Sequence, residues 1–576
     1  MDMKRIRRPQ QSPTGPGDLE SDGGAPKPAA DRKSGGRTLR FVLALVSFLM
    51  VLPLMVFVSG FHRNPSFDRL RQVTERGHFE LNAGLEKEMV GSSKSQKAKV
   101  DKLLGGLLAS GFDEHSCLSR YQSVLYRKSS SYLLSAYLMQ RLRKYEEIHQ
   151  KCSPSSELYN QTIDQLKAGA GKTSSAKCKY VVWISYSGLG NRILTLASTF
   201  LYALLTNRVL LVDRGVDMTD LFCEPFPRAS WLLPLDFPLS RFTSFDIHSP
   251  NSFGNMLKNK VVINNNLSDD ASHGSSPSFV YLHLAHDYSD HDKLFFCEDD
   301  HGPLEKIPWL FLRSDNYFVP SLFLIPGYQE ELHQLFPKTD TVFHHLGRYL
   351  FHPTNKVWGL ITRYYQAYLA QADERVGIQI RVFETKSGPF QHVLDQIFNC
   401  TMQHKLLPQV SKTENIITKL DKKTKAILLT SLSSGYSEMI RNMYLEHPAA
   451  NGDVISVFQP SQEEHQQTEK QTHNMKAWAE MYLLSFTDVL VTSAWSTFGY
   501  VAQGLGGLKP WVLMKPENRT VPHPPCKLAM SMEPCFHAPP LYDCKAKVGA
   551  DTGEMVPHVR HCEDMSWGLK LVDRDD

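Results

Sequence analysis

Val376-Gly-Ile-Gln-Ile-Arg-Val-Phe383 is an apolar run rich in β-branched residues, with one cation, Arg381, near its end. It is bounded by Asp373-Glu-Arg375 and by Glu384. A short run of this kind predicts a strand over 376–383 covered on both faces, as in a parallel sheet. Arg381 then lies near the strand's carboxyl end, and the crevice outside such ends is where open α/β sheets bind ligands. A permanent cation there suits an anionic ligand such as a diphosphate. An ion pair with Glu384, or with another acid at the sheet edge, explains the same arginine structurally, and position alone leaves the two readings even.

Beyond this run the chain alternates. Periodicity predicts a helix within 388–405, a strand over 425–430, a helix over 435–446 and a strand over 453–458. A helix over 473–486, a strand over 488–493, a helix over 496–505 and a strand over 510–514 follow. Strands alternating with helices make a doubly wound parallel sheet. Ser493-Ala-Trp-Ser-Thr-Phe-Gly499 stands at one strand-to-helix turn, where Ser496 or Thr497 can cap the helix and offer hydroxyls and free amides to a diphosphate. Thr430-Ser-Leu-Ser-Ser434 repeats the arrangement. Capping explains either segment singly; two serine-rich strand ends and Arg381 on one sheet edge favour a nucleotide pocket.

On the amino side, a strand over 179–185, the turn Gly188-Leu-Gly-Asn-Arg192, a helix over 193–206 and a strand over 208–213 form a second parallel unit with a right-handed crossover. The glycines allow close backbone approach to an anion, but no third glycine completes a dinucleotide fingerprint. Ala168-Gly-Ala-Gly-Lys-Thr-Ser174 resembles a P-loop, yet Leu166 stands where its first glycine belongs and no strand precedes it. The stretch 221–337 is rich in Pro, Phe and Trp and predicts long loops suited to substrate recognition. Its His283, His286, His291 and His301, with Asp287, Asp292 and Asp300, match no metal-binding spacing. Helical spacing is expected over 101–170 and again over 346–370.

The 576 residues allow more than one domain, and a net charge of +4 argues against nucleic acid as a partner. Residues 1–38 are basic, Pro/Gly-rich and without apolar periodicity, and are expected to be a disordered cytosolic tail. Residues 39–59 are long and apolar enough for a transmembrane signal-anchor, and the positive charges before them place the rest of the chain across the membrane. A polar stem over 60–110 follows. The sequons at Asn160, Asn266, Asn399 and Asn518 all lie beyond the anchor, as do all ten cysteines. An even count in that compartment predicts disulfides, with Cys526, Cys535, Cys544 and Cys562 stapling a closing segment; the pairing is not deducible from sequence.

Three stretches carry a family resemblance: Tyr180-Val-Val-Trp-Ile-Ser-Tyr-Ser-Gly-Leu-Gly-Asn-Arg192, Gly377-Ile-Gln-Ile-Arg-Val-Phe383 and Ser493-Ala-Trp-Ser-Thr-Phe-Gly-Tyr500. From the stem to the C-terminus the chain resembles the plant cell-wall fucosyltransferases, the xyloglucan galactoside 2-α-L-fucosyltransferase family. The resemblance implies an α/β chain of GT-B type, with two Rossmann-like doubly wound domains facing a cleft behind an anchor and helical stem. The expected bounds are an acceptor-side domain over 111–370, a donor domain over 371–520 and a Cys/Pro-rich segment over 521–576.

The implied reaction is inverting transfer of L-fucose from GDP-fucose to O2 of a galactose on a polysaccharide acceptor. It needs no metal or other cofactor, and the implied location is the Golgi membrane, single-pass type II. A homodimer, or a complex with other wall glycosyltransferases, stays open. Arg381 would neutralise the departing GDP, with Ser496 and Thr497 sharing the task. Gly190, Asn191, Arg192, Ser431, Ser433, Asp488, Ser493, Trp495 and Phe498 complete the expected donor site. Where the wider superfamily has His-x-Arg this chain has Gln379-Ile-Arg381, so no histidine acid or base is assigned there. Glu384, Asp213 and Asp300 are candidate bases that sequence does not distinguish. Fucosylation of arabinogalactan proteins or another wall glycan, and a non-catalytic Golgi scaffold or glycan-binding role, are the alternatives.

Overall fold

The computed structural model describes residues 101–128, 132–169, 177–239, 241–261, 277–383, 388–411 and 422–573. The basic tail, the expected anchor, the stem as far as residue 100, most of the 168–174 turn, Asn266 and Glu384 lie outside them. Among the described residues no helix is long and apolar enough to cross a membrane. Residues Lys99–Asp576 form one compact unit containing two main sheets.

The first sheet holds β1 (Tyr180–Trp183), β2 (Val209–Val212), β3 (Phe279–His283) and β4 (Trp309–Arg313), all parallel, in the order β2-β1-β4-β3. Strands β3 and β4 fall inside the 221–337 stretch, for which the sequence predicts long loops and places no strand. Each is five residues long and flanked by loops and short helical turns, which hides its periodicity. The second sheet holds β5 (Glu374–Gln379), β6 (Thr424–Thr430), β7 (Val454–Phe458), β8 (Val489–Ser493), β9 (Trp511–Leu513) and β10 (Cys526–Leu528). Its order is β10-β9-β8-β5-β6-β7, parallel except for β10 on β9. The expected boundary at 520 therefore cuts through this sheet.

In the second sheet the chain builds outward from β5 through β6 to β7 and then returns to the far side of β5, which creates a reversal of strand order between β5 and β8; in the first sheet β2 lies on one side of β1, and β4 with the edge strand β3 on the other. Loops leaving neighbouring strands at such a point part to opposite faces of the sheet and open a crevice.

Three helices bear on this crevice: α1 (Leu189–Leu205), α2 (Gln471–Leu484) and α3 (Thr497–Gly506). Helix α1 starts four residues before the expected 193, because extended Gly188 is its cap and Gly190-Asn191-Arg192 form its first turn. The single helix expected over 346–370 is two, Val342–Leu350 and Asn355–Tyr368. Pro353, which has no N–H to donate and disfavours helix in the residue before it, lies in the break.

Strand β5 ends at Gln379 rather than at 383. After the Ile380 amide bonds the Thr430 carbonyl, the Arg381 amide bonds the Ser493 side chain instead of a ladder carbonyl (2.9 Å), so Arg381 stands just beyond the sheet. All ten cysteines pair: Cys117–Cys223, Cys152–Cys178, Cys297–Cys544, Cys400–Cys526 and Cys535–Cys562. The closing segment is stapled as expected, with Cys526 and Cys544 tied to the body and Cys535–Cys562 closing the tail on itself.

Candidate active site

A cavity of about 340 Å³ lies where the carboxyl ends of the two sheets meet. The start of α1 forms one wall, through Gly190 and Asn191. The loops after β5, β6 and β7, the β8–α3 turn, helix α2 and His537 of the tail form the rest.

The first turns of α1 and α3 touch. Thr497 Oγ1 donates to Asn191 Oδ1 (2.8 Å), and Asn191 Nδ2 donates to the Asp315 carbonyl in the loop after β4 (2.9 Å). A Cβ on residue 190 would stand 2.6 Å from Thr497 Oγ1 and 2.9 Å from its carbonyl carbon, so only glycine lets the two helix starts meet. Helix α3 thus presents its first amides and the positive end of its dipole to the cavity, with Ser496 as its cap. Trp495 holds a left-handed backbone (φ 60°), a conformation costly for a bulky residue. Asp564 holds it there, accepting from the Trp495 amide at 2.8 Å and from its indole at 2.6 Å.

Arg381 lies on this cavity wall beside that turn. Among the described residues no carboxylate comes within ion-pair distance of its guanidinium, which lies 5.2 Å from the centre of the Phe383 ring. Burial lowers its pKa, the sign that its charge is poorly solvated. This favours the ligand reading of Arg381 over an ion pair. Gln379, two residues before it, is buried and accepts from Thr492 Oγ1 (2.8 Å), which ties β5 to β8 and leaves it no proton chemistry.

On the far side of Arg381, toward β6 and β7, the wall carries Ser431, Ser461, Glu463 and Glu480. Glu463 pairs with Lys476 and with His473 (3.2 Å), and those partners hold its carboxyl below the usual range. Glu480, on α2, is buried with Ser461 Oγ as its hydrogen-bond donor, and burial pushes its carboxyl up to about 8. Sequence reasoning missed Glu480. Its signal is one acid inside Trp478-Ala-Glu-Met-Tyr-Leu-Leu484, a stretch otherwise apolar enough to be buried.

Gly190, Asn191, Arg381, Ser431, Trp495, Ser496, Thr497 and Phe498 are brought together on the wall as expected. Other expected site residues are not. Arg192 points into the core, where its Nη1 bonds Asp217 (2.8 Å); Asp217 also accepts from Asn474 of α2, so the pair clamps α1 to α2. Ser433 accepts from the Gly435 amide in its own turn, and Ser493 is spent on the Arg381 amide. Asp488 precedes β8, at the opposite end of the strand from the cavity. It accepts from the Arg375 amide (2.7 Å) and guanidinium (3.4 Å) and pairs with Lys128.

Of the candidate bases, Asp213 accepts from the amides of Ser185 and Gly215 off the cavity wall, Asp300 is not on it, and Glu384 lies outside the described residues. His286 is not on the wall either, but it pairs with Asp315, whose carbonyl accepts from the wall residue Asn191. Asp315 accepts from its Nδ1 and from its amide (2.9 Å), and the Asp315 hydrogen bond raises the imidazole pKa. His283 is held by Tyr281 (2.7 Å) and Asp287 (2.9 Å). The one grouping with metal-ligand spacing among the described residues, Cys535, Cys562 and Asp564, has both sulfurs in a disulfide. Asn160, Asn399 and Asn518 are exposed.

The sequence profile of the xyloglucan fucosyltransferase family matches residues 79–545. Galactoside 2-alpha-L-fucosyltransferase of Pisum sativum is 61% identical over 543 residues, 93% of each chain, and that of Arabidopsis thaliana 58% over 541 residues, again 93% of each. The fold matches that of Arabidopsis thaliana FUT1, solved as an arginine-to-lysine mutant in complex with GDP. The TM-score is 0.76 at 62% identity, over 82% of this chain and 100% of that one. The chain belongs to the xyloglucan fucosyltransferase family.

Proposed function

We propose that the chain moves L-fucose from GDP-fucose to O2 of a galactosyl residue of xyloglucan, with inversion, in a GT-B-like cleft. The observation that carries this is Arg381: a half-buried guanidinium with no carboxylate partner among the described residues, at a strand-order reversal and beside the start of α3. As the bond from fucose to the β-phosphate breaks, negative charge grows on GDP. Arg381 and the α3 amides are fixed where that charge appears, so they stabilise the transition state more than the bound donor. Glu480 suits the guanine. Once ionised, its carboxylate accepts from both N1–H and the 2-amino group, a pair of donors that adenine and the pyrimidines lack, and those two donors favour the charged form that burial alone disfavours in the empty site. The proton released by the galactose hydroxyl goes to the Asp315–His286 pair, which adjoins the cavity wall through the Asp315 backbone carbonyl that accepts from Asn191.

The test is incubation of the purified chain with labelled GDP-fucose and a panel of galactosylated acceptors. Transfer to none sinks the enzyme reading, and transfer to arabinogalactan but not xyloglucan moves the acceptor. A Golgi membrane location with a lumenal catalytic body is part of the same proposal, supported by the basic leader before an apolar segment, the sequons beyond it and five disulfides. Protease protection of the body in intact Golgi vesicles tests it, and digestion without detergent refutes it.

A further inference from the structure

We propose that Phe383, Trp495 and Trp567 form a stacking platform for a hexopyranose of the acceptor glycan, one sugar beyond the galactose that receives fucose. This rests on the reading of the cavity as a fucosyl-transfer site. Phe383 and Trp495 line the cavity with ring centroids 6.4 Å apart, and Trp567, on strand Met565–Leu571, lies 6.4 Å from Trp495. Phe383 is 57% exposed and Trp567 48%. Contiguous aromatic rings left in water beside a cleft mark a surface that something covers.

The indoles are fixed by their polar edges. Trp567 Nε1 donates to the His537 carbonyl (3.1 Å) and Trp495 Nε1 to that of Asp564 (2.6 Å), so what they still offer is ring face. Lys515 covers Trp495 at 3.9 Å from its centroid, which leaves Phe383 and Trp567 the most open.

Position selects the occupant. The nucleoside side of the cavity runs from Arg381 toward β6 and β7, whereas Trp495 follows β8, Trp567 stands on the closing segment, and Phe383, though it follows β5, lies against Trp495, so that the rings flank the bond that breaks. The molecule that must arrive there is the glycan. A pyranose presents one apolar face of C–H groups ringed by hydroxyls, which suits a rigid aromatic face with His537 and Asp564 nearby. Two or three rings are far too little area for a stable protein interface.

The experiment compares a single galactoside with a galactosylated xyloglucan oligosaccharide in wild type, Trp567→Ala and Trp567→Phe. Stacking of the strength known for aromatic pairs corresponds to a roughly two- to tenfold rise in acceptor KM for the oligosaccharide on Trp567→Ala. The defect should fall on that KM rather than on kcat, be absent with the single galactoside, and recover in Trp567→Phe. An equal rise for both acceptors, a loss confined to kcat or donor KM, or a shift in oligomer mass on Trp567→Ala would overturn the platform. Calorimetric binding of the oligosaccharide with GDP present requires no turnover. A wild type that binds but does not transfer keeps the platform and sinks fucosyl transfer; an affinity unchanged by Trp567→Ala does the reverse.

Discussion

Replacing Glu480 by glutamine separates the stability cost of this residue from its use. Burial keeps its proton up to about 8 against an ordinary 4.5. Between those values the unfolded chain has lost a proton that the folded chain retains. The contribution of Glu480 to stability therefore falls as pH rises through that window, by up to about 1.4 kcal/mol per pH unit, and at pH 7 the loss is on the order of 3 kcal/mol. Glutamine keeps the shape and the acceptor for Ser461 Oγ but does not titrate. Thermal melts should find Glu480→Gln close to wild type at pH 5 and more stable at pH 7 by roughly 3 °C, given about 2 cal/mol/K of unfolding entropy per residue in a body this large. The same variant should lose the guanine. Wild type should prefer GDP over inosine diphosphate, which lacks the 2-amino group, by about tenfold or more, the worth of one hydrogen bond to a charged acceptor. In Glu480→Gln the preference should shrink to within about threefold. A melting difference that does not change with pH refutes the burial argument, and an undiminished preference for GDP refutes the guanine contact.

Arg381→Ala should lower kcat by roughly 100- to 1,000-fold with an unchanged circular dichroism spectrum, the loss typical when one donor to a developing anion is removed; an active variant would take Arg381 out of the donor role. In Asp315→Asn the His286 imidazole loses the partner that raises its pKa. Because a proton acceptor works only in its neutral form, the acid limb of kcat should move to lower pH while kcat itself drops by about 100-fold; an unmoved limb would exclude the pair as proton acceptor. Asp488→Asn should cost about 1–3 kcal/mol in denaturant titration, since Arg375 and Lys128 lose their acceptor, yet leave GDP affinity within about twofold. A large loss of GDP binding would restore Asp488 to the donor site.

Much of the second sheet was legible because its strands are continuous Val/Ile/Leu runs separated by helices of ordinary length, as at Lys425-Ala-Ile-Leu-Leu-Thr430. The first sheet was half legible, since β3 and β4 lie among aromatic loops without a periodic helix beside them. Residue type misled at Arg192 and Asp488. Arg192 is a charge in a strand-to-helix turn and Asp488 one beside a strand, and a charge in either place serves a core clamp or a sheet edge as readily as a ligand.

The order of apolar runs along the chain was enough to determine parallel sheets and a cation delivered to a strand's carboxyl end, because periodicity and turn chemistry are local properties, while the family showed in the resemblance of three short stretches. Only the tertiary structure decided which residues share the cavity. That Thr497 reaches Asn191 across 306 positions, that Glu480 faces the space beside Ser461, and that Asp315 finds His286 follow from two sheets meeting at the carboxyl ends of their strands. Contacts between residues so far apart in the chain are set by packing, and packing leaves no period in the sequence to read.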